Sequence, residues 1–101
     1  MFDLVSMVYL QIPADGMSVA VGNAAGAVAP GGTLCVVGHH LDNLADGVGG
    51  PPMAEVLYTE DQLVEWCGEL EVVRAERAMR PVDGGVAIDA LLVARRRPLL
   101  I

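Results

Sequence analysis

Two short apolar runs, FDLVSMV at residues 2–8 and TLCVVG at residues 33–38, carry the strongest structural signal in this sequence. Both are rich in β-forming residues and show little alternation of polar and apolar positions, which is typical of strands covered on both faces. Between them, from Met17 to Ala29, apolar residues recur at helical spacing on an alanine-rich background. The order strand, helix, strand predicts a βαβ unit, in which the two strands are parallel.

Turn-forming residues mark the borders of this unit. Pro13, Asp15 and Gly16 predict a turn after the first strand. Pro30-Gly31-Gly32 predicts the end of the helix, because proline cannot continue a helix and glycine commonly follows its last turn. Residues 39–58 then form a long polar connection, rich in Gly and Pro, of a length that is usually functional or mobile.

The second half of the chain predicts one helix followed by an antiparallel hairpin. Thr59 with Gln62 three residues later has the pattern of a capping box. The apolar stripe of this helix consists of Leu63, Trp66, Cys67 and Leu70. Glu71–Met79 and Val86–Ala94 are predicted to be extended, joined by a turn at Pro81–Gly85. The predicted order is β-α-β-loop-α-β-β.

Composition places the whole chain in a single domain, residues 1–101. It is 53% hydrophobic and has two cysteines, so it is too apolar for intrinsic disorder and too poor in cysteine for a disulfide scaffold. The net charge is −7, and residues 1–73 contain ten acidic residues and no basic one, which excludes nucleic acid as a direct partner. Without a long apolar run or a basic start, we predict a cytoplasmic protein that does not contact membranes, with residues 96–101 as a solvated tail.

Three motifs resemble the C-terminal half of a class I S-adenosylmethionine-dependent methyltransferase: FDLV at residues 2–5, APGGTL at 29–34 and AIDALLV at 87–93. The resemblance implies an α/β fold, a partial Rossmann-like sheet in which residues 2–8 form the family's fourth strand. It implies the sheet order fourth, fifth, last, sixth, with both helices on one face. It also implies S-adenosylmethionine as cofactor and a small molecule as methyl acceptor.

The family's main cofactor motifs lie outside the matched part. The glycine-rich turn after the first strand, and the acidic residue that ends the second strand and holds the ribose, have no counterpart here. The glycine cluster at residues 47–50 has no strand before it and no helix after it, so we interpret it as a loop. The resemblance therefore implies an acceptor-side half that acts when completed by the missing half. The alternative is a non-catalytic remnant, or an oligomerising interaction module of the same fold.

Candidate site residues follow from the rule that ligands bind beyond the carboxyl ends of the strands in an open α/β sheet. The resemblance implies cofactor contacts for Ser6, Met7, Val8 and Tyr9, and substrate contacts for Leu10, Gln11, His39 and His40. For Ser6 and Met7, packing within the strand is an open alternative. Tyr9 either closes a pocket or caps the core. No catalytic residue is assigned, and His39 is the candidate for proton transfer, because imidazole titrates near neutral pH.

Other reactive side chains have simpler interpretations. His39 and His40 with Asp42 have metal-ligand types, but adjacent side chains on an extended backbone point in opposite directions, so we predict no metal site. For His39, the alternative to a role in proton transfer is that it is simply a histidine exposed in a loop. We expect Cys35 and Cys67 to be buried thiols, and Cys67 to be no nucleophile because acidic neighbours disfavour the thiolate. Asp89, within an apolar strand, is expected to pair with an arginine or face solvent.

The implied sheet would leave two surfaces uncovered. Phe2–Val8 would form a bare edge, and the face opposite the helices would carry no helix. An apolar edge and face of that size are not stable in water. We therefore predict a homo-oligomer, most simply a two-fold dimer that buries the open face.

Overall fold

Four strands form one mixed sheet in the computed structural model, which describes residues 1–100. The strands are β1 (Phe2–Val8), β2 (Val28–His39), β3 (Glu71–Val82) and β4 (Gly85–Arg95). Their order across the sheet is β1-β2-β4-β3, with β1 parallel to β2 and with β4 antiparallel to both of its neighbours. This confirms the predicted α/β class and the strand order that the resemblance implies.

The three helices are α1 (Ala14–Gly26), the short α2 (Asn43–Asp46) and α3 (Glu60–Trp66). Two of them, α1 and α3, pack on one side of this sheet. The capping box at the start of α3 is present as predicted, with both of its hydrogen bonds. The buried core between α1, α3 and the sheet includes Met17, Val21, Leu34, Val36, Leu63 and Leu92. No helix among residues 1–100 is both long and apolar enough to cross a membrane.

The predicted boundaries of the first helix are wrong at both ends. Pro13 is the N-cap of α1, so Asp15 lies in the first helical turn and not in a preceding turn. The first-turn N–H groups have no intrahelical partner, and the acidic side chain of Asp15 nearby favours this start of the helix. At the other end α1 stops at Gly26, and the Pro30–Gly32 segment lies inside β2.

An irregularity at the start of β2 explains this difference. Val28 pairs with Phe2, whereas Thr33 pairs with Leu4, so β2 advances five residues while β1 advances two. Gly31 has φ +79°, and a Cβ on Gly32 would lie 3.0 Å from the backbone oxygens of Phe2 and Asp3. The glycines therefore permit close approach of two backbones, which is a role that glycine also plays in strand bulges.

The second face of the sheet, opposite α1 and α3, carries no helix among the described residues. We call this surface the open face and define it by six apolar side chains that the strand register places together: Leu4, Val8, Cys35, Val37, Leu91 and Val93. Leu4 and Val8 are 65% and 64% exposed. The strand β1 is also an edge strand, with no neighbour on its outer side. Both uncovered surfaces are those expected from the sequence.

The long connection after β2 is not structureless, as α2 and a short 3₁₀ turn at Ala54–Val56 interrupt it. Asn43 fixes it to the sheet, because its Oδ1 accepts the Ile88 N–H and its Nδ2 donates to the Gly49 carbonyl. At the chain end, Arg96 donates from Nε and Nη2 to two backbone carbonyls of the α1–β2 junction. Arg96 is the first residue of the predicted tail; Ile101, the last, lies outside the described residues.

Candidate functional site

Four side chains meet where β1 and β2 end, and we call them the carboxyl-end cluster: Tyr9, His39, Arg80 and Asp89. The Tyr9 hydroxyl donates to Asp89 Oδ2 at 2.9 Å, and Arg80 Nε donates to the same oxygen at 2.9 Å. The Tyr9 ring packs on the His39 ring with 4.8 Å between centroids, and the Arg80 Cζ lies 5.6 Å from the Tyr9 centroid. A carboxylate, a guanidinium and two rings therefore form one contiguous group.

Strand register brings this cluster together. His39 at the end of β2 pairs with Asp89 of β4, so both side chains lie on the open-face side of the sheet. Asp89 pairs in turn with Ala78 of β3, and Arg80, two residues further on, reaches back to the carboxylate. The Asp89 side chain is only 6% exposed. A carboxylate this buried requires hydrogen-bond donors, and Tyr9 and Arg80 supply them.

The backbone of Tyr9 is in the left-handed region, with φ 55°, which no other non-glycine residue of the described chain adopts. Its N–H donates to the Val37 carbonyl at 2.7 Å, which fixes the backbone where β1 ends. A non-glycine residue in this region stores about 1–3 kcal/mol, and such strain concentrates at functional sites. In this protein it accompanies the contacts of the phenol ring with His39 and Asp89.

The two hydrogen-bond donors of Asp89 keep their protons. Burial and the hydrogen bond to Asp89 raise the pKa of the Tyr9 hydroxyl, so it remains a donor. The hydrogen bond to Asp89 also raises the pKa of Arg80, so its cation persists. Asp89 consequently keeps one neutral and one charged donor at neutral pH.

The His39 ring contains an unsatisfied atom. Its Nδ1 is buried without a hydrogen-bond partner and lies 4.0 Å from Asp89 Oδ1, too far for a hydrogen bond. Gly50 packs over this atom, since a Cβ there would lie 3.0 Å from Nδ1, and its φ of +74° suits glycine. The glycine cluster of the connection is therefore a loop, as predicted, and part of it covers the ring of His39.

A cavity of about 370 Å³ opens beside the cluster. His39 and Arg80 line it on the cluster side, and Gly49 and Gly50 line it on the side of the connection. The turn of the hairpin adds the Asp83 carboxylate to the lining. This volume is within the range of small-molecule sites, which combine apolar walls with a few fixed polar groups.

The arrangement of strands and helices has counterparts among solved structures. A SAM-dependent methyltransferase from Methanosarcina mazei superposes with a TM-score of 0.65 at 14% identity, over 97% of this chain and 60% of that one. The S-adenosylmethionine-dependent methyltransferase SibL in its apo form superposes with a TM-score of 0.59 at 18% identity. The chain has the methyltransferase fold.

This chain spans only part of those methyltransferases, 60% of the first and 31% of SibL. The comparison with SibL covers 94% of this chain. No protein-family model matches the sequence, and no curated protein sequence matches it either. At these identities the likeness establishes the fold and leaves the activity to be argued from the site.

The predicted cofactor contacts on β1 divide between the two faces of the sheet. Ser6 and Val8 lie on the open-face side, beside Cys35 and Val37 of β2. Met7 packs against the buried core on the opposite side. Tyr9 follows the strand and joins the carboxyl-end cluster.

The predicted substrate contacts Leu10 and Gln11 tie the end of β1 to neighbouring segments. Gln11 Oε1 accepts the His39 N–H at 2.8 Å, and Gln11 Nε2 donates to the Val56 carbonyl. The Leu10 carbonyl accepts the Tyr58 hydroxyl. These bonds position the backbone around the cluster and occupy the polar atoms of Gln11.

His40 points away from His39, as predicted for adjacent residues on an extended backbone. It is buried on the helix side, where its Nδ1 accepts the Asp42 N–H. Its Nε2 therefore carries the proton and donates to Glu60 Oε1 at 2.8 Å. Among residues 1–100, no three His, Cys, Asp or Glu side chains come together as a metal site.

The His40–Glu60 bond predicts a pH-dependent contribution to stability. Burial raises the pKa of Glu60, but the hydrogen bond from His40, a backbone hydrogen bond and the nearby His40 charge together lower it more, so the pKa of Glu60 lies below its ordinary value of 4.5. A lowered folded-state pKa adds stability above about pH 4.5, and this stability is lost as the pH falls through the folded pKa. We expect Glu60→Gln to cost about 1 kcal/mol at pH 7 and clearly less at about pH 3.5, because the contribution declines as the pH falls below 4.5 toward the folded pKa. Urea unfolding at both pH values measures the difference, and an equal cost at both would contradict the assignment.

The cysteines differ in burial. Cys67 is buried, its thiol donates to the Val64 carbonyl, and burial raises its pKa, which disfavours the thiolate. Cys35 is half-buried on the open face, so the prediction that both thiols are buried is wrong for this one. Cys35 is only half-buried because no helix among the described residues covers the open face.

Sequence reasoning did not single out Arg80. It left two alternatives for Asp89, an arginine partner or exposure to solvent, and the structure shows the arginine partner. The signal for Arg80 was present in the hairpin: with Asp83-Gly84 as a two-residue turn, Val82 pairs with Gly85 and Ala78 with Asp89. That register places position 80 diagonally across from the carboxylate.

Proposed function

We propose that this chain is the acceptor-side half of an S-adenosylmethionine-dependent methyltransferase that acts on a small molecule in the cytoplasm. The observation that supports it is the carboxyl-end cluster, which lies beside a cavity at the strand ends of a sheet with the methyltransferase fold. Ligands of open α/β sheets bind at this edge.

The cofactor needs more than the described residues provide. Ser6 and Tyr9 bring hydroxyl groups to the exit of β1, but the Tyr9 hydroxyl is bonded to Asp89. The Asp89 carboxylate accepts from Tyr9 and Arg80 and is only 6% exposed, so it presents little surface to a ribose. Ser6, Tyr9 and Asp89 do not fit a whole nucleoside, so we assign the cofactor site to a complementary half.

The chain's own residues hold the acceptor and take its proton. Methyl transfer depends mainly on proximity and alignment, and the sulfonium donor is already activated. His39 lines the cavity, and the Tyr9 ring and Gly50 fix the plane of its imidazole. A hydroxyl or amine acceptor in the cavity would find His39 as the proton acceptor and Arg80 as a fixed donor.

The first test is calorimetry of this chain with S-adenosylmethionine and with its demethylated product. We expect no micromolar binding, because the site for the nucleoside lies in the complementary half. Micromolar binding by this chain would contradict the division into halves.

The second test maps the acceptor site by NMR, with a panel of small hydroxyl, amine and thiol fragments. We expect amide shifts to concentrate at Tyr9, His39, Gly50 and Arg80. His39→Ala should weaken fragment binding at least tenfold, whereas Val19→Ala, an exposed change on α1, should leave it unchanged. Fragment shifts that lie elsewhere, or equal binding by both variants, would contradict the proposal.

A non-catalytic, oligomerising module is the second candidate function. The open face favours it, because exposed contiguous apolar side chains mark interaction surfaces. Failure of every fragment to bind at the cavity, together with stable self-association, would support the module over the enzyme half.

A further inference from the structure

We infer that this chain by itself forms a two-fold homodimer in which the two sheets stack through their open faces. The inference depends on the surface of the sheet and not on the proposed function. A complementary half, when present, would compete for the same face.

The size of the uncovered surface supports a second copy. Four strands at about 4.8 Å spacing and seven residues at about 3.3 Å rise give a flat area of about 440 Å². Stable interfaces bury ~800 Å² per partner, so a dimer through this face must also bury the side chains that stand above the sheet and the exposed β1 edge. Leu4 and Val8, at 65% and 64% exposed, have the most area to lose.

The charge of this surface also suits a second copy, although the chain as a whole is strongly acidic. On the open-face side of β3, Arg74 bonds to Glu76 at 2.7 Å, and Arg80 bonds to Asp89. Most of the acidic residues that produce the net charge of −7 lie on the helices and in the connection instead. These pairs leave little net charge on β3, while Arg95, which the register places on the same side at the end of β4, has no carboxylate partner among the described residues and brings one cation to the margin of each face.

The two edge strands of the sheet differ in charge, and the weakly charged one, β1, is the better surface for contact with a second sheet. The edge strand β3 carries charged residues and a proline, which block pairing with another strand: Glu71, Arg74, Glu76, Arg77, Arg80 and Pro81. The edge strand β1 has Asp3 as its single charge. Because Leu4 and Val8 of β1 belong to the open face, stacked sheets about 10 Å apart would cover this side of β1 as well.

The oligomeric state of matched variants tests the inference. We expect light scattering at about 50 μM to give twice the mass of one chain. Val8→Glu, on the open face, should give a monomer with unchanged circular dichroism. Val19→Glu is the control, because Val19 is 62% exposed on α1, and it should remain a dimer. A monomeric unmodified chain, a mass above two copies, or dissociation of both variants would overturn the inference.

The unmodified chain provides a measurement that needs no variant. Cys35 lies on the open face, whereas Cys67 is buried in the core and should not react. With excess Ellman's reagent, we expect the Cys35 rate to fall at least tenfold between dilute and concentrated protein, because dimerisation covers it. A rate that does not change with concentration would overturn face-to-face stacking. It would do so even with a dimeric mass, because pairing through the β1 edges would leave Cys35 accessible.

Discussion

Gly38→Ala is expected to destabilise the fold by about 2–4 kcal/mol, the largest effect of any single substitution considered for this chain. A Cβ at Gly38 would overlap the Tyr58 hydroxyl and lie 2.6 Å from Gln11 Oε1. Neither neighbour can move away freely. Tyr58 is 1% exposed and donates to the Leu10 carbonyl, while Gln11 is bonded at both ends of its amide.

The protonation state of Tyr58 adds to this constraint. Burial raises the pKa of Tyr58 to about 12, so the hydroxyl keeps its proton and its bond to Leu10 at any ordinary pH. The extra methyl group must therefore displace a buried ring or break that bond. Both outcomes disturb the segment that positions Tyr9.

Gly22→Ala is the matched control for this prediction. Gly22 lies inside α1, and an added Cβ there would meet no atom within 4 Å. Alanine in a helix interior is favoured over glycine, so we expect a gain of about 0.5–1 kcal/mol. Urea unfolding of both variants measures the contrast. Similar changes of stability in the two would show that the crowding at Gly38 is relieved at no cost.

Arg80→Ala is expected to destabilise the chain by about 1–3 kcal/mol, because it leaves the buried Asp89 carboxylate with Tyr9 as its remaining donor. The Arg80 side chain is 43% exposed, so solvent screening keeps the loss below that of a fully buried pair. Arg77→Ala is the control. The Arg77–Asp42 pair is exposed on both sides, so removing it should cost less than about 1 kcal/mol.

A double variant separates charge burial from simple loss of packing. Asp89→Asn in the Arg80→Ala background removes the uncompensated charge, so we expect it to recover part of the lost stability. Denaturant unfolding of the two single variants and the double variant gives the coupling between the residues. Strictly additive losses would mean that Arg80 contributes through packing alone.

The large-scale fold was readable from the sequence because its signals are local. The apolar runs at 2–8 and 33–38 and the capping box at Thr59 each depend on a few neighbouring residues. The role of Pro30–Gly32 was not readable in this way. Their glycines meet the backbone of Phe2 and Asp3, nearly thirty residues earlier, and this contact exists only once the sheet has formed.

The candidate site shows the same division. Tyr9 and His39 were predicted from their position after strands, and the structure brings their rings into contact. Arg80 and Gly50 escaped prediction because the hairpin register and the path of the connection place them there. The function implied by the resemblance remains a proposal, which the fragment and calorimetry experiments address.

The position of β4 has a consequence for how the chain folds. The strand made last lies in the interior of the sheet, between β2 and β3. During synthesis, β1 and β2 can pair early, but β3 has no neighbour until β4 leaves the ribosome. The hairpin of β3 and β4 is then local in sequence and can form quickly, and its docking onto β2 closes the long-range contacts. A nascent chain that ends before β4 would carry an unpaired strand, and exposed strands of this kind make folding intermediates prone to aggregation.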